Sequence, residues 1–158
     1  MVSLWGGSIR FNTQMLFASA FLPMFGIGGL TGLPLAFNFI DLALHDTYYV
    51  IGHFHYVVAP GTIFALFAGV YHWYPKVTGR FMSDRLGKFH FWPSLVGMNM
   101  VFLPMFVQGM GGFHRRWYDG GKAFEQTSSV THWFSELCSS FFGIFGIHVE
   151  PTLMGLNV

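Results

Sequence analysis

Charged residues are scarce in this sequence. Charged residues make up 9% of its 158 residues, whereas soluble domains usually carry about 25%. The formal net charge is +1, so we expect no nucleic-acid partner, because binding to phosphates needs an excess of Lys and Arg. The single cysteine, Cys138, excludes a disulfide within the chain. Water is therefore not expected to be the main solvent of this chain.

Apolar residues are abundant instead. The chain is 53% hydrophobic and 20% aromatic, and its mean hydropathy is +0.47. Three stretches of low charge, at about 13–36, 48–73 and 91–110, are long enough to cross a hydrocarbon layer of about 30 Å as helices. A later apolar run, 134–147, is shorter and contains Glu136. We predict an all-α integral membrane helical bundle fragment, with three transmembrane helices and a possible short fourth.

Basic residues are concentrated in one connection, residues 75–90. Connections rich in Lys and Arg stay on the side from which a membrane protein is inserted. We therefore predict that this loop faces the cytoplasm in a bacterial plasma membrane, or the matrix in a mitochondrial inner membrane. Arg10 would lie on the same side, and the acidic connection at residues 37–47 on the opposite side. The charged residues of the basic connection are Lys76, Arg80, Asp84, Arg85 and Lys88.

Two histidines, His53 and His55, lie inside the second predicted span. A helix turns about 100° per residue, so residues two apart point to opposite faces. The two imidazoles cannot bind one metal from a regular helix, but they can bind two different metals on either side. Imidazole is a common axial ligand of haem iron, and polar residues in an apolar span are costly unless partnered. The alternative is two hydrogen-bonded packing histidines.

An arginine pair, Arg115 and Arg116, follows the third span on the side expected to be poor in basic residues. Arginine is suited to bidentate binding of carboxylates, so the pair indicates a local anionic partner. The alternative is a solvated basic turn paired with Asp119.

The segment ALHDTYYVIGHFHYV resembles a distinctive string of subunit I of the haem–copper terminal oxidases. The strings around it, GGLTGLPLA, YPKVTGR and LGKFHFW, occur in the matching order. The resemblance covers residues 4–122 and is to the C-terminal third of that subunit, with its ninth to eleventh transmembrane helices. We therefore divide the chain into residues 1–122, which belong to this portion, and an uncertain C-terminal tail at residues 123–158.

The resemblance implies a role for each histidine of the HFH string. His53 matches the axial ligand of the high-spin haem, and His55 matches a ligand of the low-spin haem. These two roles agree with the opposite directions that the spacing predicts. Four other histidines have no matching role and are interpreted as interfacial or packing residues: His72, His90, His132 and His148.

The resemblance also implies roles for polar residues outside the spans. His45 and Asp46 match residues that bind a magnesium or manganese ion together with a carboxylate of subunit II. Oxygen and imidazole ligands suit such ions. Asp41 matches an acid near a propionate of the high-spin haem, and Arg115 and Arg116 match the pair that holds the haem propionates.

The resemblance implies part of a proton-pumping terminal oxidase that reduces O2 to water. Its partners would be the remainder of subunit I, subunit II, other oxidase subunits and the lipid bilayer. Tyr56, after the HFH string, favours cytochrome c over quinol as electron donor. The copper ligands lie upstream in the family, in sequence that this chain does not contain, so copper would bind only with ligands from elsewhere. A quinol oxidase, a non-catalytic remnant or assembly fragment, and a small dihaem electron carrier stay open as alternatives.

Overall fold

The computed structural model describes residues 4–116 and, beyond them, residues 122, 125, 129, 132, 133 and 136. All regular elements in this part are helical, which confirms the predicted all-α class. The helices are α1 (Thr13–Thr31), α2 (Leu33–Ala36), α3 (Asn38–Leu44), α4 (Tyr48–Val58), α5 (Ala65–Thr78) and α6 (Asp84–Met110). The possible short fourth span lies outside the described residues, except for Glu136, and so does most of the tail.

Three helical stretches are long and apolar enough to cross a membrane in the part that the structure describes: Thr13–Ala36, Tyr48–Thr78 and Asp84–Met110. The first has the bounds that hydropathy predicts. The second continues past residue 73, and the third begins well before residue 91, so the basic connection shrinks to residues 79–83. Its charged side chains therefore lie mostly on helix ends, where long stems keep the charges near water.

Asp84 shows why α6 begins inside a charged segment. Its carboxylate accepts hydrogen bonds from the Thr13 amide at 2.9 Å and the Thr13 hydroxyl at 2.8 Å, and it pairs with Lys88 at 2.7 Å. An acidic residue in the first helical turn also interacts favourably with the helix dipole. The Asp84 carboxylate therefore lies in the first turn of α6 and links it to Thr13, the first residue of α1.

A π-helical turn, Ala59–Phe64, joins α4 to α5 and contains Pro60. Proline has no amide hydrogen and cannot continue the regular α-helical hydrogen bonding, and a π-turn is one way to absorb the interruption without ending the helix. The interruption falls after His53 and His55, which both lie in the regular helix α4.

Helix α4 packs between α1 and α6. Gly28 of α1 lies so close to α4 that an added Cβ would be 3.0 Å from the Tyr56 carbonyl carbon. On the other side, a Cβ on Gly109 of α6 would overlap the backbone of Tyr49. Small residues allow such close helix contacts in membranes. The Tyr56 hydroxyl then donates to Asn99 of α6 at 2.9 Å, which adds a polar contact between α4 and α6.

The helix ends meet in two groups. At one end, Thr13 contacts Asp84, close to the basic residues. At the other, the Tyr48 amide donates to the Phe113 carbonyl at 2.9 Å. The connection before α4 and the turn after α6 therefore share one end of the bundle, as the predicted up-and-down order requires. Which end faces the cytoplasm or matrix stays a prediction.

Candidate functional site

His53 is directed from α4 towards α1. Its Nδ1 lies 2.8 Å from the Gly28 carbonyl oxygen and 3.3 Å from the Thr31 hydroxyl. Its ring lies against Gly32, where an added Cβ would come within 2.8 Å of the imidazole Cε1. Because a carbonyl oxygen only accepts hydrogen bonds, Nδ1 must carry the proton of the neutral ring. The lone pair is therefore on Nε2, and this nitrogen can bind a metal.

His55 is directed towards α6. Its Nδ1 lies 2.8 Å from the carbonyl oxygen of Ile51, one turn earlier in the same helix. Its ring stacks on Phe102 of α6, with centroids 4.9 Å apart and an interplanar angle of 13°, and on the neighbouring Phe54 at 4.3 Å. The same argument assigns the proton to Nδ1 and the lone pair to Nε2.

The two rings therefore contact different helices, as the two-residue spacing predicts. Both histidines are half-buried. Among the described residues, no group is hydrogen-bonded to the Nε2 of His53 or of His55. A second group that orients a histidine through Nδ1 is a common feature of metal-binding imidazoles. Each ring is thus held from one side and has its ligand nitrogen available on the other.

A polar cluster lies at the end of the bundle where α4 begins. The guanidinium of Arg115 forms an ion pair with the Asp46 carboxylate. The backbone amide of Arg115 also donates to the Asp46 carbonyl at 2.8 Å. The Nδ1 of His45 lies 3.4 Å from the other carboxylate oxygen of Asp46. Asp46 has a φ of 56°, a conformation that short polar side chains tolerate. The fold therefore brings together three of the predicted site residues.

Two other predicted residues stand apart from this cluster. Asp41 lies one turn earlier in α3, where its carbonyl accepts the His45 amide at 2.7 Å, and its carboxylate has no ion pair in the described ranges. Arg116 is exposed, with a φ of 68°, and also has no ion pair there. Asp119, the alternative partner of the arginine pair, lies outside the described residues.

The described residues contain no group of three or more His, Cys, Asp or Glu side chains that could hold a metal ion. His45 and Asp46 are adjacent and offer one imidazole and one carboxylate, so a metal at this pair needs further ligands from elsewhere. Sequence reasoning missed Gly28, Gly32 and Phe102 as contacts of the histidines. Glycines in a membrane span are typical of close helix packing, but nothing in the sequence identifies His53 as the neighbour of Gly28 and Gly32.

The fold and the site define an integral membrane helical protein with two imidazoles available on opposite sides of one helix. Residues 1–144 match the family model described as cytochrome c and quinol oxidase polypeptide I. The chain belongs to this family and is part of a haem–copper oxidase subunit I. Membership implies haem cofactors, which fits the two available Nε2 atoms.

Three relatives, each named cytochrome c oxidase subunit 1, are similar to this chain. The protein of Synechocystis sp. is 54% identical over 114 residues, which are 72% of this chain and 21% of the relative. The Thermostichus vulcanus protein is 51% identical over 116 residues, 73% of this chain and 21% of the relative. The Candida albicans protein is 42% identical over 154 residues, 96% of this chain and 29% of the relative. The chain thus spans a minor part of each relative.

Proposed function

We propose that this chain supplies one axial histidine to each of two haems in a terminal oxidase of aerobic respiration. The oxidase would reduce O2 to water with electrons from cytochrome c and pump protons across the membrane. The observation that carries the proposal is the pair of oppositely directed imidazoles, each with Nδ1 at 2.8 Å from a backbone carbonyl. The names of the three relatives support cytochrome c rather than quinol as the donor.

In this proposal His53 binds the high-spin haem and His55 the low-spin haem. The haem irons supply the electron transfer and oxygen chemistry when bound. The protein holds each Nε2 in a set direction, and the Nδ1 hydrogen bonds raise the basicity of the ligands. Helix α4 also keeps apolar side chains exposed beside the histidines, such as Phe54 (42%) and Val58 (55%). Exposed apolar surface of this kind suits the face of a porphyrin.

The polar cluster, together with Asp41 and Arg116, would hold the groups at the haem edge. Arg115 and Arg116 would bind haem propionates, and Asp41 would lie near a propionate of the high-spin haem. His45 and Asp46 would bind a magnesium or manganese ion with a carboxylate of subunit II. Because a helix rises about 1.5 Å per residue, His53 lies about 8 Å along the axis from Tyr48, where α4 begins. This short separation supports one haem contacting both the helix and the cluster.

The oxidase would also need parts that lie outside this portion of subunit I. We propose that residues 1–122 pack against the remainder of subunit I, subunit II and other oxidase subunits, and that residues 123–158 are the C-terminal tail. Copper ligands would come from the part of subunit I that lies upstream of this portion in the family. The short connection at residues 79–83 would face the cytoplasm or the matrix, because basic residues surround it.

Visible spectroscopy tests the haem assignment. The chain is purified with its accompanying subunits, and the reduced-minus-oxidised spectrum is recorded. His55→Ala should abolish the low-spin signal, and His53→Ala should remove the ligand-sensitive high-spin features. The control is His132→Ala, since His132 lies beside Glu136 at 3.7 Å and outside the proposed site. Spectra left unchanged by both site variants would show that the assignment is wrong.

A further inference from the structure

Two phenyl rings stack on the imidazole of His55. Phe54 is its neighbour in the chain, with ring centroids 4.3 Å apart and an interplanar angle of 29°. Phe102 of α6 lies at 4.9 Å, and its plane is within 13° of the imidazole plane. Phe54 is 42% exposed, whereas Phe102 is 9% exposed. Phe102 is therefore the better fixed of the two rings, and it belongs to a different helix.

The hydrogen bond of His55 does not by itself fix the plane of the imidazole. Its Nδ1 lies 2.8 Å from the Ile51 carbonyl oxygen, but hydrogen bonds tolerate about 30° of misalignment. The second side-chain torsion of histidine also has broad preferences. A flat neighbour restricts the remaining freedom, because rotation would drive the imidazole edge into the phenyl face. Stacking covers a face of the imidazole and leaves the in-plane lone pair of Nε2 available.

Phe102 is itself held in place by contacts between α4 and α6. Tyr56 lies edge-on to it, with centroids 6.1 Å apart and an interplanar angle of 66°. Tyr56 is fully buried, and its hydroxyl donates to Asn99 of α6 at 2.9 Å. Asn99 and Phe102 are three residues apart, so they are neighbours on one face of α6. Tyr56, next to His55 in the chain, therefore fixes the turn of α6 that carries Phe102.

We propose that Phe102 is a positioning residue that sets the plane of the His55 imidazole for the low-spin haem. This inference rests on the proposed function, in which His55 is the low-spin ligand. Groups that orient a ligating imidazole also tune the bound metal, and Phe102 does so by stacking rather than by a hydrogen bond. Stacking of an aromatic pair favours one arrangement by roughly twofold to tenfold. Without Phe102, the imidazole should populate more than one plane.

Electron paramagnetic resonance of the oxidised protein, purified with its accompanying subunits, tests the proposal. The d-orbital energies of a low-spin ferric haem depend on the plane of its axial imidazole. In Phe102→Leu the low-spin signal should therefore broaden and its g values should shift. Phe102→Tyr keeps an aromatic ring and should keep the original signal.

The matched control is Phe106→Leu, one turn further along α6. Phe106 is 7% exposed and packs on Tyr49 and Tyr56, but it has no ring contact with His55 in the part of the chain that the structure describes. The two leucine variants remove similar buried side chains, so denaturant unfolding in detergent should show similar losses of stability. Only Phe102→Leu should change the low-spin signal.

A second variant, Phe102→Met, keeps more of the side-chain volume without a flat ring, and it gives the same test if Phe102→Leu does not assemble. An original signal in the Phe102 variants that lack a ring would overturn the proposal, and so would an equal change in Phe106→Leu. If His55→Ala abolishes the low-spin signal while Phe102→Leu leaves it unchanged, the positioning role fails and the haem assignment stands. A low-spin signal that survives His55→Ala would overturn both.

Discussion

The two sides of α4 hold their histidines by different means. On the α1 side, the carbonyl that bonds to His53 belongs to Gly28, 25 residues away in another helix. On the α6 side, the carbonyl that bonds to His55 belongs to Ile51, four residues away in the same helix. The direction of His53 therefore depends on how α1 packs against α4. The hydrogen bond of His55 is local, and only its stacking on Phe102 depends on a neighbouring helix.

Because the two histidines are held differently, substitutions on the two sides of α4 should have different effects. On the α1 side, an added methyl group on Gly32 would reach the imidazole of His53 directly. The α6 side brings the backbones of two helices together at Gly109, so an added methyl group there acts on the helix pair rather than on one ring. Three substitutions separate these effects.

The largest effect is expected for Gly109→Ala. The new Cβ would overlap the Tyr49 backbone, which cannot rotate away as a side chain can, so α6 must move from α4. We expect a loss of about 3 kcal/mol or more in the free energy of unfolding, at or above the usual cost of overpacking. Denaturant unfolding in detergent measures it. In the control, Gly26→Ala, the Cβ meets nothing within 4 Å; equal stability of the two variants would contradict the close contact.

A smaller effect, confined to the His53 side of α4, is expected for Gly32→Ala. The new Cβ would lie 2.8 Å from Cε1 of His53, so the ring must shift while His55 stays in place. We expect a cost of about 1 kcal/mol and a change in the high-spin haem features alone. Gly29→Ala, in the last turn of α1, is the matched control, because its Cβ meets nothing within 4 Å. A change in the low-spin signal instead would show that the two sides are not independent.

The smallest effect is expected for Thr31→Val. This substitution removes the hydroxyl 3.3 Å from Nδ1 of His53 and keeps the shape of the side chain. The Gly28 carbonyl still bonds to the ring, so we expect a cost of about 0.6 kcal/mol, the average for a polar contact between membrane helices. Unfolding measurements give the cost, and the visible spectrum should not change. Complete loss of the high-spin features would mean that Thr31, rather than Gly28, orients His53.

Hydropathy predicted the existence and order of the membrane-spanning helices, since apolar length alone decides whether a stretch can cross a bilayer. The third helix begins at Asp84, before residue 91 where the predicted span begins, although Asp84, Arg85 and Lys88 look like loop residues in a sequence. The structure shows that the Asp84 charge is bonded to Thr13 on another helix. Such a partner, 71 residues away, cannot be identified from local pattern.

The cluster before α4 was only partly predictable. His45 and Asp46 are neighbours in the chain, so their proximity follows from the sequence. Arg115 was expected to have an anionic partner, and Asp119 was the nearest candidate in sequence; the structure pairs Arg115 with Asp46, which is distant in sequence. The pairing depends on the contact between Tyr48 and Phe113, which only the packing of α4 on α6 creates.

By itself, the sequence determined an apolar, all-helical membrane chain and the opposite directions of His53 and His55, because bilayer thickness and helical periodicity are local constraints. Tertiary structure decided which helix each imidazole contacts and which carbonyl orients His53. It also decided that Arg115 pairs with Asp46. These features join residues far apart in the chain, and they form only when glycines such as Gly28 and Gly109 let the helix backbones come close together.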